Sequence, residues 1–112
     1  MNESDYNSKR WKRIRKVILQ RDDYLDQIEK RFGRRVEATT VHHIFPREYF
    51  PQWGYEPWNL ISLSNKTHNQ MHNREDHKLT NEGWKLLEKT ARENGIHIPD
   101  GMKSAIVSQN FH

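Results

Sequence analysis

The stretch 38–74 changes its hydrophobic period three times, and this order of elements restricts the fold more than any other feature of the chain. ATTVHHI (38–44) is β-branched and predicts a strand. NLISLS (59–64) alternates Leu60, Ser62 and Ser64 with Ile61 and Leu63 and predicts a second, shorter strand. Between them, FPREYFPQWGYEPW holds six of the chain's twelve aromatic residues and three of its four prolines. That density predicts an Ω-type loop packed on itself, with stacking of Trp53 or Tyr55 on nucleic-acid bases as the functional alternative. A helix carrying THNQMHNR follows, with Ser64 or Asn65 as its cap. Strand, packed loop, strand, helix is an α+β pattern.

The flanks read as helices. A basic helix spans 8–20, with Trp11, Ile14, Val17 and Ile18 on one stripe. A second, over 24–32, groups Leu25, Ile28 and Phe32 before a stop at Gly33, and a third, over 81–94, aligns Trp84, Leu87 and Ala91 and stops at Gly95. Residues 1–7 are expected to form a flexible polar tail, 8–95 the folded domain, and 96–112, which lack periodicity, a peripheral tail.

A chain of 112 residues with 33% hydrophobic content and mean hydropathy −1.14 has a thin core. Small domains of this kind often rely on a metal, a disulfide or a partner. The absence of cysteine removes disulfides and thiolate zinc sites, leaving His, Asp, Glu and Asn as ligands. No signal-like or membrane-length apolar run occurs, so a soluble cytoplasmic protein with no membrane partner is expected. The net charge of +4 is uneven: residues 1–35 carry 11 Lys/Arg against 6 Asp/Glu, and 36–112 carry 8 against 9. KRWKRIRK (9–16) concentrates this charge in Lys9, Arg10, Lys12, Arg13, Arg15 and Lys16 around Trp11 and Ile14. With a pI near 9.5, nucleic acid is the polyanion such a helix suits, a solvated face being the plainer alternative.

The histidines carry the chemistry. His68 and His72 are four apart, which on a helix puts them on one face roughly 6 Å apart along the axis, a spacing at which two imidazoles can grip one ion. His42 and His43 point to opposite sides of a strand and are unlikely to share a role. A turn or bulge at the strand end could bring one to a metal and leave the other beside a reaction centre. His42, His68 and His72 would then form a three-histidine site with coordination left open for water or phosphate.

VHHIFP, NLISLS and HNQMH, read together as HH-x15-N-x8-H-x3-H, resemble the HNH endonuclease family with its ββα-metal fold. The histidine pair and terminal HxxxH look like the bacteriocin DNase branch. The run from WKRIRKVILQRDDY through EGWKLLEKTAR is similar to small HNH proteins of phages and prophages, so the likeness spans 9–92. The resemblance implies a small ββα-metal core with flanking helices, His43 as general base, and His42, His68 and His72 as ligands of one divalent metal. Asn59 would pin the loop and so orient the base. Many relatives carry cysteine pairs around this core, and this chain has none.

A neutral imidazole can take a proton from water near pH 7. Imidazole ligands suit Zn, Ni or Co better than Mg, although Mn, Ni or Mg could support turnover where Zn binds best. Arg47 and Lys66 flank the motif as further candidate phosphate contacts beside Lys9, Arg10, Lys12, Arg13 and Lys16. The expected function is metal-dependent hydrolysis of DNA phosphodiester bonds, by nicking or double-strand cleavage, with low sequence specificity because no recognition module is visible. The resemblance suggests a phage or prophage protein, acting as a monomer or weak dimer. The alternatives are a non-catalytic, metal-stabilised nucleic-acid-binding module and an accessory of DNA packaging that binds the phage terminase. His77, His97 and His112 match no position of the motif.

Overall fold

The computed structural model describes residues 8–110; the expected tail at 1–7 lies outside the described residues, as do 111 and 112. The chain forms two compact units, 1–65 and 66–112.

In the first unit the Ser8 hydroxyl accepts the Trp11 amide at 3.0 Å and caps α1 (Lys9–Arg21). Its buried line is Trp11, Ile18 and Leu19, with Ile14 partly buried beside it. Val17, expected on this stripe, is 58% exposed. It lies about 100° from Ile18 on the side away from Leu19, so the face that takes in Leu19 turns Val17 to solvent.

The second helix is shorter than expected. Asp23 and Tyr24 adopt left-handed φ values of 56° and 55°, which interrupt helix before it starts. Asp26 then caps α2 (Gln27–Arg31), its Oδ1 accepting the amides of Ile28 and Glu29 at 2.9 Å. Phe32 follows the helix and is 68% exposed instead of sharing a buried stripe with Leu25 and Ile28.

β1 (Thr40–His43) and β2 (Leu60–Leu63) form an antiparallel pair in the register Thr40↔Leu63, Val41↔Ser62, His42↔Ile61, His43↔Leu60. Residues directly opposite share a face, so Val41, His43, Leu60 and Ser62 face one way and His42, Ile61 and Leu63 the other. α1 covers the first face, where Trp11, Ile18 and Leu19 pack with Ala38, Val41 and Leu60. β2 is buried on both faces and not half-buried as its alternation predicts. Ser62 is tolerated there because its hydroxyl donates to the Ile18 carbonyl at 3.4 Å and its amide to Asp22 Oδ2 at 3.1 Å. Asp26 Oδ2 takes the Ser64 amide at 2.8 Å, so two buried carboxylates tie the end of α1 and the start of α2 to this strand.

The loop between the strands is packed on itself, as its composition predicts. Two 3₁₀ turns, Pro51–Trp53 and Pro57–Asn59, fold it back. Phe45, 0% exposed, meets Phe50, Trp53 and Trp58 edge-on with ring centroids 5.1 to 5.9 Å apart.

The second unit begins within α3 (Asn65–Asn69) and continues through a turn-rich segment to α4 (Asn81–Glu93) and α5 (Met102–Ile106). The helix expected to carry both histidines stops after His68 and Asn69. The carbonyl of Met71 accepts the Thr80 amide, and His72 pairs with Leu79 as an antiparallel bridge, so tertiary pairing displaces the helical turn. α4 passes close over this segment: a Cβ on Gly83 would lie 2.5 Å from the Met71 carbonyl oxygen, which only glycine avoids. Residues 96–110 contribute more to the interior than the expectation of a peripheral tail allows. Ile106 and Val107 are buried, Val107 bridges Leu79 in parallel, and the Leu79 carbonyl takes the Ser108 amide at 2.8 Å. No described helix is long and apolar enough to cross a membrane.

Candidate active site

His43 is held from two sides. It is 8% exposed, and its ring stacks on Trp11 with centroids 5.0 Å apart and planes 18° from parallel. Nε2 lies 2.9 Å from the Gly54 carbonyl. A carbonyl can only accept, so Nε2 carries a proton, and the ring when neutral has its lone pair on Nδ1. Orientation and tautomer are thus set by two contacts, one from α1 and one from the aromatic loop.

Asn59 fixes that loop. Fully buried, its Oδ1 accepts the Phe45 amide at 2.7 Å while Nδ2 donates to the carbonyls of Phe45 (3.1 Å) and Trp53 (3.2 Å). The Asn59 carbonyl also takes the Ile44 amide at 2.9 Å. One amide side chain therefore binds the loop's first residue to its midpoint, next to the Gly54 carbonyl that holds His43.

In the second unit His68 and His72 are half-buried, with ring centroids 5.5 Å apart and planes at 84°. Burial lowers the pKa of both. For His68 the neighbouring His72 adds to the effect, and for His72 a hydrogen bond to the His77 carbonyl partly opposes it. In that bond, at 3.3 Å, Nδ1 is the donor, so a neutral ring carries its lone pair on Nε2. The pair opens on a cleft of about 670 Å³ also lined by Asn69, Asn73, Arg74 and His77.

His42, His68 and His72 each offer one ring nitrogen of the kind that holds a metal ion. Three neutral imidazoles fit a divalent transition metal such as Zn, Ni or Mn and leave coordination open.

The crystal structure of the HNH endonuclease of the deep-sea thermophilic bacteriophage GVE2, with a manganese ion, is similar to this chain with a TM-score of 0.58 and 32% sequence identity, over 59% of this chain and 72% of that one. The chain belongs to the HNH endonuclease family. No protein-family model and no curated protein matches it.

The remaining candidates of this HNH protein divide by environment. Lys9, Arg10, Lys12, Arg13 and Lys16 are exposed along α1, and Arg10 lies 3.9 Å over the Tyr55 ring. Arg15 is set apart from them by its bond to the Thr39 carbonyl at 2.6 Å, and Arg21 by bonds to the carbonyls of Pro57 and Leu60. Arg47 is half-buried and Lys66 exposed. Trp53 is engaged with Phe45, Phe50 and Trp58, and Tyr55 with Trp11 and Arg10, which argues against either ring stacking freely on a base. Three contributions went unread in the sequence: the Trp11 face, the Gly54 carbonyl and the His77 carbonyl. Trp11 reads there only as a core residue, and backbone carbonyls leave no residue-type signal.

Proposed function

We propose that the chain is a metal-dependent endonuclease that hydrolyses DNA phosphodiester bonds with low sequence specificity, His43 acting as general base, Asn59 as positioning residue and His42, His68 and His72 as metal ligands. The observation that carries this reading is the state of His43. A purely structural metal site has no use for a fourth histidine stacked on Trp11 and held through Nε2 by the Gly54 carbonyl.

His43 Nδ1 accepts a proton from the attacking water, and the Gly54 carbonyl holds Nε2–H as the ring becomes positive. Trp11 keeps the ring from turning. When bound, a divalent ion supplies charge stabilisation to the scissile phosphate and the departing oxygen. Manganese, present in the phage neighbour, is one candidate, with zinc, nickel and magnesium as the others. The exposed cations of α1, with Arg47 and Lys66, hold flanking phosphates and so position the duplex without reading its sequence.

The neighbour's phage origin favours a phage or prophage setting, with action in the bacterial cytoplasm and a link to DNA packaging or terminase as the finer form of the proposal. Supercoiled plasmid incubated with purified protein and Mg²⁺, Mn²⁺, Ni²⁺ or Zn²⁺ should be nicked or linearised, and EDTA should stop it. If no ion supports cutting while DNA still binds, the chain is a metal-stabilised binding module instead. Capture of purified terminase tests the packaging link.

A further inference from the structure

The stretch KRFGRR (30–35) takes no part in the chemistry proposed above, yet it presents an aromatic ring among cations. Phe32 is the most exposed of the large apolar residues among those described, at 68%. Lys30, Arg31, Arg34 and Arg35 around it in sequence are all exposed. A single exposed phenylalanine is ordinary on a protein surface. This one is held in place.

The turn that carries it is closed by backbone bonds from Phe32 and Arg34 to the Glu29 carbonyl and from Gly33 to the Lys30 carbonyl, with Gly33 at φ 77°. Arg34 is fixed by a two-point pair with Glu29 (2.7 and 3.2 Å), and its guanidinium sits 5.3 Å from the Phe32 ring centroid. Glu29 is thereby engaged by Arg34, and Lys30, Arg31 and Arg35 remain against Glu37 as the segment's other carboxylate. The ring is therefore held on a closed turn with the Arg34 guanidinium over one face and its remaining surface exposed, and with positive charge on both sides along the chain. A π-face beside cations is how proteins hold an unpaired base and its flanking phosphates.

We propose that Phe32, with Lys30, Arg31 and Arg35, forms a binding site for an unpaired nucleotide, the base stacking on the ring and the adjacent phosphates meeting the cations. The proposal rests on the reading of the chain as a DNA-acting protein and adds a preference for single-stranded or gapped DNA. Such a site would bias the enzyme toward substrates that expose bases, such as frayed ends, gaps and displaced strands.

The test measures fluorescence anisotropy of the full chain in EDTA, so that nothing is cut, against a labelled oligothymidylate and against a blunt duplex. Phe32→Leu, which keeps an apolar side chain but removes the π-face, should weaken oligothymidylate binding between about 5- and 160-fold, the range for one lost stack. Duplex affinity and the thermal midpoint should hold, and Phe32→Trp should bind the single strand at least as well as wild type. Arg31→Gln with Arg35→Gln should lower the salt slope on the oligonucleotide by about 0.7 per lost phosphate contact. Unchanged single-strand affinity in Phe32→Leu overturns the site, as does an equal loss on both probes. If wild type binds and cuts duplex normally while Phe32→Leu changes nothing, this inference alone falls. If wild type binds neither probe, the DNA reading falls with it.

Discussion

The two units hold their histidines by different means. In the first, His43 is fixed by side-chain contacts: a stacked indole, a loop carbonyl, and behind that carbonyl a buried amide with three hydrogen bonds. In the second, His72 is held by backbone pairing to Leu79, which in turn pairs with Val107, and its ring bond to the His77 carbonyl is long at 3.3 Å. A base must keep its lone pair aimed whether or not a metal is present, which requires rigid support. A ligand pair can be drawn into place by the ion itself, so weaker support suffices.

The largest effect expected from breaking this contrast is on His43, the proposed base. His43→Ala should slow plasmid cleavage by about 10² to 10⁴-fold, the range for a lost general base. Metal affinity by calorimetry and duplex affinity by titration should stay near wild type. His72→Ala should instead lose metal affinity and cleavage together. If His43→Ala loses metal as severely as His72→Ala, the roles of His42 and His43 are exchanged.

Asn59→Ala comes next. It leaves the Phe45 amide and the carbonyls of Phe45 and Trp53 without this partner in a buried loop, at about 1 to 3 kcal/mol for an unsatisfied buried group and more for several. A loss of at least roughly 3 kcal/mol in denaturant unfolding is expected, with cleavage falling because Gly54 no longer holds His43. Full stability in the variant would show that the aromatic packing holds the loop unaided.

Metal should separate the units further. Saturation at about 100 times Kd stabilises a folded state by roughly 2.7 kcal/mol. Chelation should therefore lower the thermal midpoint and speed amide exchange around Met71, His72 and Leu79, while leaving the amides of Phe45 and Ile44 protected. Equal deprotection of both regions would mean that the support of His43 also depends on the ion.

How much of this was legible in the sequence follows the same division. The strand pair, the packed loop and the flanking helices announce themselves through β-branching, aromatic density and helical periodicity, all local signals that structure preserves. The α+β class follows from the order of the elements, and the family from the resemblance carried by VHHIFP, NLISLS and HNQMH. What went astray needed tertiary information. The helix expected through THNQMHNR ends early because the Met71 carbonyl and His72 pair with Thr80 and Leu79, partners that no local pattern reveals. Val17 and Phe32 were assigned to buried faces by periodicity, but a helix with apolar residues on more than one side does not say which side is covered. The segment 96–110 lacks periodicity because it contributes a short bridge and two adjacent buried apolar residues, Ile106 and Val107, too few to make a pattern.

That segment yields the smallest and most discriminating prediction. Val107→Ala retains the backbone bridge to Leu79 but removes two methyl groups from a side chain only 4% exposed. At about 0.8 kcal/mol per buried carbon, the transfer cost is roughly 1.6 kcal/mol, before any cavity is counted. If the C-terminal segment supports His72 only through backbone pairing, metal affinity should change by less than the thermal stability does, and cleavage at saturating metal should match wild type. Deletion of residues 101–112 should differ in kind, since it removes the bridge itself, and metal affinity should then fall with stability. A deletion that binds metal and cuts as wild type does would return this segment to the peripheral role that its sequence suggests, and would leave the ion and the Leu79 bridge as sufficient support for His72.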